Sequence, residues 1–87
     1  MLGDNNMKRD KTQIMAAILN TCINGANKTR VVYQANLNFK TVNPYLDTLV
    51  GKGFLDVKQG TRLLYETTDK GTELLETLVN IEETLEG

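Results

Sequence analysis

The chain has 87 residues, a net charge of -1, one cysteine and no histidine. This length allows one compact domain with a small core, and the composition excludes an internal disulfide and a zinc site built from cysteines and histidines. No apolar run approaches the roughly 20 residues of a membrane helix and no signal peptide is recognisable, so we expect a soluble, cytoplasmic protein.

The first predicted helix follows a short polar leader. Residues 1–7 have no periodicity, and we interpret them as disordered. From residue 14 to residue 22 apolar side chains recur at helical spacing, Asp10 is placed to cap the helix, and Asn24 and Gly25 are expected to end it. Within this helix, Cys22 is expected to be a small buried hydrophobe and not a redox sensor.

A second and a third helix joined by a tight turn form a predicted helix-turn-helix. The second helix is expected from Lys28 or Thr29 to about Asn36, and Thr29 is a candidate for its cap. Three aromatic residues are expected in the core or at its edge, namely Tyr33, Phe39 and Tyr65.

The third helix contains a proline that leaves its start open between two alternatives. If Asn38 is the cap, Pro44 lies inside the helix and removes a backbone hydrogen bond, at a cost of ~3 kcal/mol or more. If the helix restarts at Asn43, Pro44 takes the first helical position, where proline is favoured. At the other end we expect a Schellman motif, with Gly53 as its left-handed residue and Phe54 packing back on the helix.

Residues 54–58 and 62–67 are predicted to form a β-hairpin. Both segments contain β-branched or aromatic residues, and Gln59, Gly60 and Thr61 join them. We expect Gly60 to supply the positive φ that a tight turn needs. Because a lone hairpin is marginally stable in water, this one is expected to lie against the helices.

Thr68 is expected to cap a last helix that has an apolar and an acidic face. Its apolar residues follow a 4, 3, 4 spacing, which is typical of a helix that packs on another helix. We predict that it forms a homodimer interface through Leu74, Leu75, Leu78, Ile81 and Leu85. The whole pattern predicts an α+β, mainly α fold, with a leader at 1–7, a domain at 8–68 and a dimerisation helix at 69–87.

The small net charge hides two segments of opposite sign. Residues 1–65 carry nine of the ten Lys and Arg residues and four of the eleven Asp and Glu residues, a net charge of +5. Residues 66–87 carry one basic and seven acidic residues, a net charge of -6. A basic body with an acidic tail is typical of a nucleic-acid binder whose other end faces a protein, although chance clustering on a soluble surface also produces it.

The sequence offers little from which to build a catalytic site. It has no histidine, no serine, no glycine-rich phosphate loop and no carboxylate pair in an apolar setting. We therefore do not expect an enzyme, and we expect no cofactor, metal or small-molecule ligand. Asp47 and Asp56 are interpreted as surface residues of a helix and a strand.

Five segments carry a resemblance to a known family. They are Gly-Ala-Asn-Lys-Thr-Arg at 25–30, Tyr-Gln-Ala-Asn-Leu-Asn-Phe at 33–39, Tyr-Leu at 45–46, Lys-Gly-Phe-Leu at 52–55, and Tyr65 with Thr-Asp-Lys-Gly at 68–71. With the order of elements, they resemble the archaeal winged-helix DNA-binding proteins that dimerise through a C-terminal antiparallel coiled coil. The first two segments are the more specific ones.

This resemblance implies a winged helix-turn-helix that binds double-stranded DNA as a homodimer. In such a fold the third helix enters the major groove, and the hairpin, called the wing, reaches the backbone or the minor groove. The residues implied at DNA are Lys28, Thr29, Arg30, Lys40, Thr41, Asn43, Lys58, Gln59, Thr61 and Arg62, with Tyr45 added if the third helix is rotated. The implied role is a transcriptional regulator or a chromosome-associated protein. The alternative is a winged-helix module that binds proteins and leaves these residues as ordinary solvated groups.

Overall fold

The computed structural model describes residues 10–86, with side chains described up to Ile81. The described chain forms four helices and one two-stranded antiparallel sheet in the predicted order. These elements are α1 (Lys11–Thr21), α2 (Lys28–Ala35), α3 (Phe39–Gly51), β1 (Leu55–Gln59), β2 (Leu63–Thr67) and α4 (Asp69–Glu86). The leader expected at residues 1–7 and the side chain of Leu85 lie outside the described residues. No helix in the described part is long and apolar enough to cross a membrane.

Short polar side chains begin the first three helices. Their oxygens accept a hydrogen bond from the backbone N–H three residues on, at 2.9 Å for Asp10, 2.8 Å for Asn27 and 2.7 Å for Asn38. Each bond satisfies a donor that the helix itself leaves unpaired. The caps expected at Asp10 and Asn38 are confirmed. The cap expected at Thr29 is wrong, because Asn27 precedes α2 in an extended conformation and Thr29 already lies inside the first turn.

The helix α3 runs unbroken through Pro44, so the alternative with Asn38 as the cap is confirmed. Pro44 has no N–H with which to bond the carbonyl of Lys40, and both residues are exposed. At the other end Gly53 has a φ of 83°. The N–H of Phe54 bonds the carbonyl of Leu49 at 2.9 Å, as a Schellman motif requires.

The helix α1 ends earlier than expected. Cys22 is its C-terminal cap, and the following turn is closed by a bond from the N–H of Gly25 to the carbonyl of Cys22 at 3.0 Å. Gly25 has a φ of 90°, a conformation that glycine adopts readily. The predicted stop at Asn24 and Gly25 therefore marks the turn after the helix and not the last helical residues.

The hairpin pairs Leu55 with Thr67 and Gln59 with Leu63 at the two ends of its register. The loop between the strands holds three residues, Gly60, Thr61 and Arg62, so the second strand begins one residue later than predicted. Gly60 does not have a positive φ. The expected role of Gly60 is wrong because the three-residue loop is shifted by one position and turns without a left-handed residue there.

The hairpin is anchored on the helical part of the molecule, as expected. Tyr65 and Ala26 exchange two backbone hydrogen bonds of 2.9 and 2.8 Å, which joins β2 to the loop between α1 and α2. Thr67 donates its backbone N–H to the carbonyl of Cys22 at 2.9 Å and its hydroxyl to the carbonyl of Leu19 at 2.7 Å. These bonds tie the base of the wing to the end of α1.

The core lies between the helices and the base of the hairpin. Its largest fully buried side chains are Ile18, Leu19, Val31, Val42, Leu46, Leu49, Leu55 and Cys22. Burial raises the pKa of the Cys22 thiol to about 11, with the charge of Arg30 acting in the opposite direction. Cys22 is fully buried and has no disulfide partner, which confirms the interpretation of this residue as a buried hydrophobe.

Candidate nucleic-acid interface

The start of α2 combines free backbone donors with two exposed side chains. Thr29 and Arg30 are exposed and Lys28 is half-buried. The first turn of α2 contains no acidic residue, so no carboxylate within it neutralises the positive potential at the start of the helix. Asn27 takes one of the free N–H groups, and the others remain available to an anion such as a DNA phosphate.

The helix α3 turns one face to the core and another to solvent. Val42, Leu46 and Leu49 are buried, whereas Lys40 and Asn43 are exposed. The exposed residues are three positions apart, which places them on neighbouring rows of the same helix face. These two predicted residues are therefore brought together on the solvent side of α3.

Thr41 and Tyr45 do not share that face. Both are half-buried and line a cavity of about 380 Å³ between α1 and α3, together with Lys11 and Met15. A base contact from Tyr45 would require α3 to present its α1-facing side to DNA. The same cavity brings Lys11 beside α3, a cation that the sequence analysis did not select.

The wing, residues 55–67, carries cations that are partly neutralised by its own carboxylates. The ammonium of Lys58 forms a salt bridge of 3.0 Å with Glu66 on the opposite strand. The hydrogen bond and the charge of Glu66 raise the pKa of Lys58, and Asp56 contributes in the same direction. Asp56 pairs directly with Glu66 across the hairpin, so the outer face of the wing is not strongly positive.

The tip of the wing gathers the other predicted contacts. Lys58, Gln59, Thr61 and Arg62 line one open depression there, and all four are exposed. Among the described side chains, Arg62 has no salt-bridge partner. It is therefore the more available of the two wing cations.

Two exposed aromatic residues correct the expected core. Tyr33 is 78% exposed and Phe39 is 51% exposed, on either side of the turn between α2 and α3. The helical spacing of α2 explains Tyr33, because Val31, Val32 and Ala35 fill the inward face and Tyr33 falls opposite. Tyr65 is buried, as expected.

The predicted dimerisation residues divide between the subunit's own core and its surface. The helix α4 packs against α1, and Leu75 and Leu78 are buried within the subunit. Leu74 is half-buried against the core, whereas Ile81 is 49% exposed. Val79, which the sequence analysis did not select, is 38% exposed on another side of the helix. No group of histidine, cysteine, aspartate or glutamate residues in the described chain is arranged to hold a metal ion.

The chain is similar to several known proteins. A family model described as winged helix-turn-helix matches residues 8–86. Two uncharacterized proteins of Methanocaldococcus jannaschii are 36% and 29% identical over 86% and 85% of this chain. The chain spans 35% of the length of the first of them and 74% of the second.

Two crystal structures resemble the fold. Sso10a-2, described as a DNA-binding protein from Sulfolobus solfataricus, superposes with a TM-score of 0.77 and 38% identity, covering 88% of this chain and 85% of that one. A MarR family transcriptional regulator from Silicibacter pomeroyi superposes with a TM-score of 0.67 and 19% identity, covering 86% of this chain and 54% of that one. The second likeness bears on the fold alone.

Proposed function

Because the chain belongs to the winged helix-turn-helix family, we propose that it binds duplex DNA by placing α3 in the major groove. The observation that carries this proposal is the solvent face of α3, where Lys40 and Asn43 stand exposed near the start of the helix. The 38% identity to a protein described as DNA-binding supports it.

Each element has a separate task in this complex. The amides and the side chains of Lys28, Thr29 and Arg30 bind a phosphate at the start of α2, and so fix the position of the protein. On α3, Lys40 is suited to guanine and Asn43 to adenine. The tip of the wing, with Arg62 as its free cation, contacts the backbone or the neighbouring minor groove.

We further propose a homodimer with residues 8–68 as the DNA-binding unit and residues 69–87 as the pairing helix. Such a dimer presents two α3 helices to successive major grooves, ~34 Å apart. Ile81 of the predicted apolar stripe is exposed and remains free to pair. The role that fits is a cytoplasmic transcriptional regulator or chromosome-associated protein.

The test compares two equal charge reversals at the two ends of α3, at Lys40 in its first turn and at its C-terminal cap Lys52. Lys40→Glu is expected to weaken duplex binding at least about tenfold, because it places a negative charge in the major groove, where the phosphates on both sides repel it. Lys52→Glu makes the same change twelve residues on, ~18 Å along the helix axis, and is expected to have a much smaller effect. Equal effects of the two reversals, measured by fluorescence anisotropy, would argue against α3 as the reading helix.

The protein-binding alternative makes a different prediction. Reversing Lys40, Lys58 and Arg62 together removes the α3 and wing cations and is expected to abolish DNA binding while the fold, followed by circular dichroism, is retained. Under the alternative, this surface binds only other proteins, and the unchanged chain is then expected not to bind duplex DNA even at low salt.

A further inference from the structure

One charged residue of α3 has no part in the function proposed above. Asp47 is exposed on the same helix as Lys40 and Asn43. It follows Asn43 by four positions and Lys40 by seven, so the three side chains lie on one face of α3. Homeodomains read bases from helix positions with this same spacing of three, four and seven residues.

The carboxylate of Asp47 is not neutralised by a neighbour. Among the described side chains, the one salt bridge joins Lys58 to Glu66. Lys40 and Asp47 are the charged residues of α3, and a separation of seven residues puts them ~10 Å apart along the axis. Asp47 therefore presents an unpaired negative charge on the face that is proposed to enter a groove lined by phosphates.

A carboxylate in that position lowers affinity unless it finds a donor. The phosphates repel it, and so do the acceptor atoms of guanine and the O4 atom of thymine. The amino group of cytosine is the base donor to which aspartate and glutamate are suited in the major groove. The carboxylate of Asp47 therefore lowers the affinity for most sequences. This loss is offset where the carboxylate accepts a hydrogen bond from a cytosine amino group.

We propose that Asp47 is a specificity-determining residue that accepts a hydrogen bond from the N4 amino group of a cytosine. This inference rests on the proposed function, because it requires α3 to lie in the major groove. It adds selectivity to that function: Lys40 contributes attraction to any duplex, while Asp47 penalises sites without a cytosine. The base read by Asp47 is a different one from the base read by Lys40, since the two side chains lie ~10 Å apart along the helix axis.

The experiment is selection of bound fragments from random duplex DNA by three forms of the full chain. The unchanged protein is expected to enrich cytosine at one position of each half-site, by about five- to tenfold over the other bases. Asp47→Asn keeps the size of the side chain but is expected to lose that preference, with adenine gaining at the same position. Glu76→Gln, an exposed change of equal charge on α4, is expected to leave the selected sequences unchanged.

Three results would overturn the inference and leave DNA binding intact. They are an unchanged base preference in Asp47→Asn, no base preference in the unchanged protein, and a uniform gain in affinity of Asp47→Asn for all sequences. The last result would mean that Asp47 only repels phosphates. Failure of the unchanged protein to bind any duplex at low salt would contradict the proposed function itself, and the role of Asp47 with it.

Discussion

At the scale of single residues, one ion pair controls how much positive charge the wing offers to DNA. Lys58 is held at 3.0 Å from Glu66, and Asp56 lies opposite Glu66 on the paired strand. Both partners of the ion pair are solvent-exposed, so the pair contributes little to stability. Its larger consequence is electrostatic, because a phosphate must displace Glu66 to bind Lys58.

Replacing Glu66 by Gln is therefore expected to strengthen duplex binding. Removing the carboxylate frees Lys58 for a phosphate, which should raise affinity about threefold and steepen the salt dependence by up to ~0.9 in slope. Fluorescence anisotropy at several salt concentrations measures both quantities. The same substitution in a Lys58→Ala background is the control and should give a smaller gain. Equal gains in both backgrounds would mean that Glu66 acts by general repulsion and not through Lys58.

Residue roles were predictable from sequence where a local rule decides them. Asp10 caps α1 because its spacing to the first turn is unambiguous, and Gly53 ends α3 because its neighbours complete a known motif. Thr29 and Asn27 are both acceptable caps, and only the path of the backbone into α2 selects Asn27. The pairing of Lys58 with Glu66 depends on the hairpin register, and the predicted loop lay one residue before the observed one.

At the scale of elements, the end of α3 is fastened to the start of α4. Thr68 donates its hydroxyl to the carbonyl of Gly53 at 2.7 Å and accepts the N–H of Gly71 at 3.0 Å. Lys70 donates to the carbonyl of Lys52 at 2.9 Å, and its ammonium lies 5.0 Å from the ring centre of Phe54. The proposed reading helix and the proposed pairing helix are thus held together at one junction.

Gly71→Ala is expected to break this junction. A Cβ at Gly71 would collide with the backbone carbonyl of Phe54 and lie 2.8 Å from a methyl group of Thr67. Because a backbone atom cannot move aside cheaply, we expect a loss of about 2 kcal/mol or more in the free energy of unfolding. Urea denaturation followed by circular dichroism measures it.

Gly51→Ala is the matched control for that substitution. No atom lies within 4 Å of a Cβ built at Gly51, and alanine favours the helix, so stability should rise by up to about 0.5–1 kcal/mol. Similar losses at both positions would contradict the close approach of α4 to Phe54.

The elements themselves were largely predictable, because each has its own periodicity and boundary signals. Pro44 is the instructive exception: its local preference allowed a restart at Asn43, and the buried side chains of Val42, Leu46 and Leu49 keep one continuous helix instead. The packing of a whole face outweighs the loss of one hydrogen bond. The loop at Gly60 differs from the prediction for a related reason, since the strand register sets its position.

At the scale of the whole molecule, the proposed dimer places the acidic helices together and the basic surfaces outward. The burial of Leu75 and Leu78 within the subunit could not be read from the sequence, because an apolar stripe looks the same whether it packs on its own domain or on a partner. Two large apolar side chains remain exposed on α4 in the described part, Val79 and Ile81. They lie ~200° apart around the helix, and only Ile81 belongs to the predicted apolar stripe.

The dimer is tested by placing a charge at Ile81. Ile81→Asp is expected to give a folded monomer, because the side chain is exposed in the subunit and a buried carboxylate in the interface is costly. Asn80→Asp, a change at an exposed position ~100° away around the same helix, should leave the assembly unchanged. Light scattering coupled to size-exclusion chromatography gives the mass of each. A monomeric mass for the unchanged protein would remove the proposed pairing of α4.

The most direct test of the central claim is the salt dependence of duplex binding by the unchanged chain. If each subunit of a dimer neutralises three or four phosphates, the plot of log affinity against log salt concentration should have a slope of about -5 to -7, from roughly -0.9 per phosphate. A slope near zero, or no binding at low salt, would contradict the account that the exposed cations of α2, α3 and the wing form one DNA-binding surface.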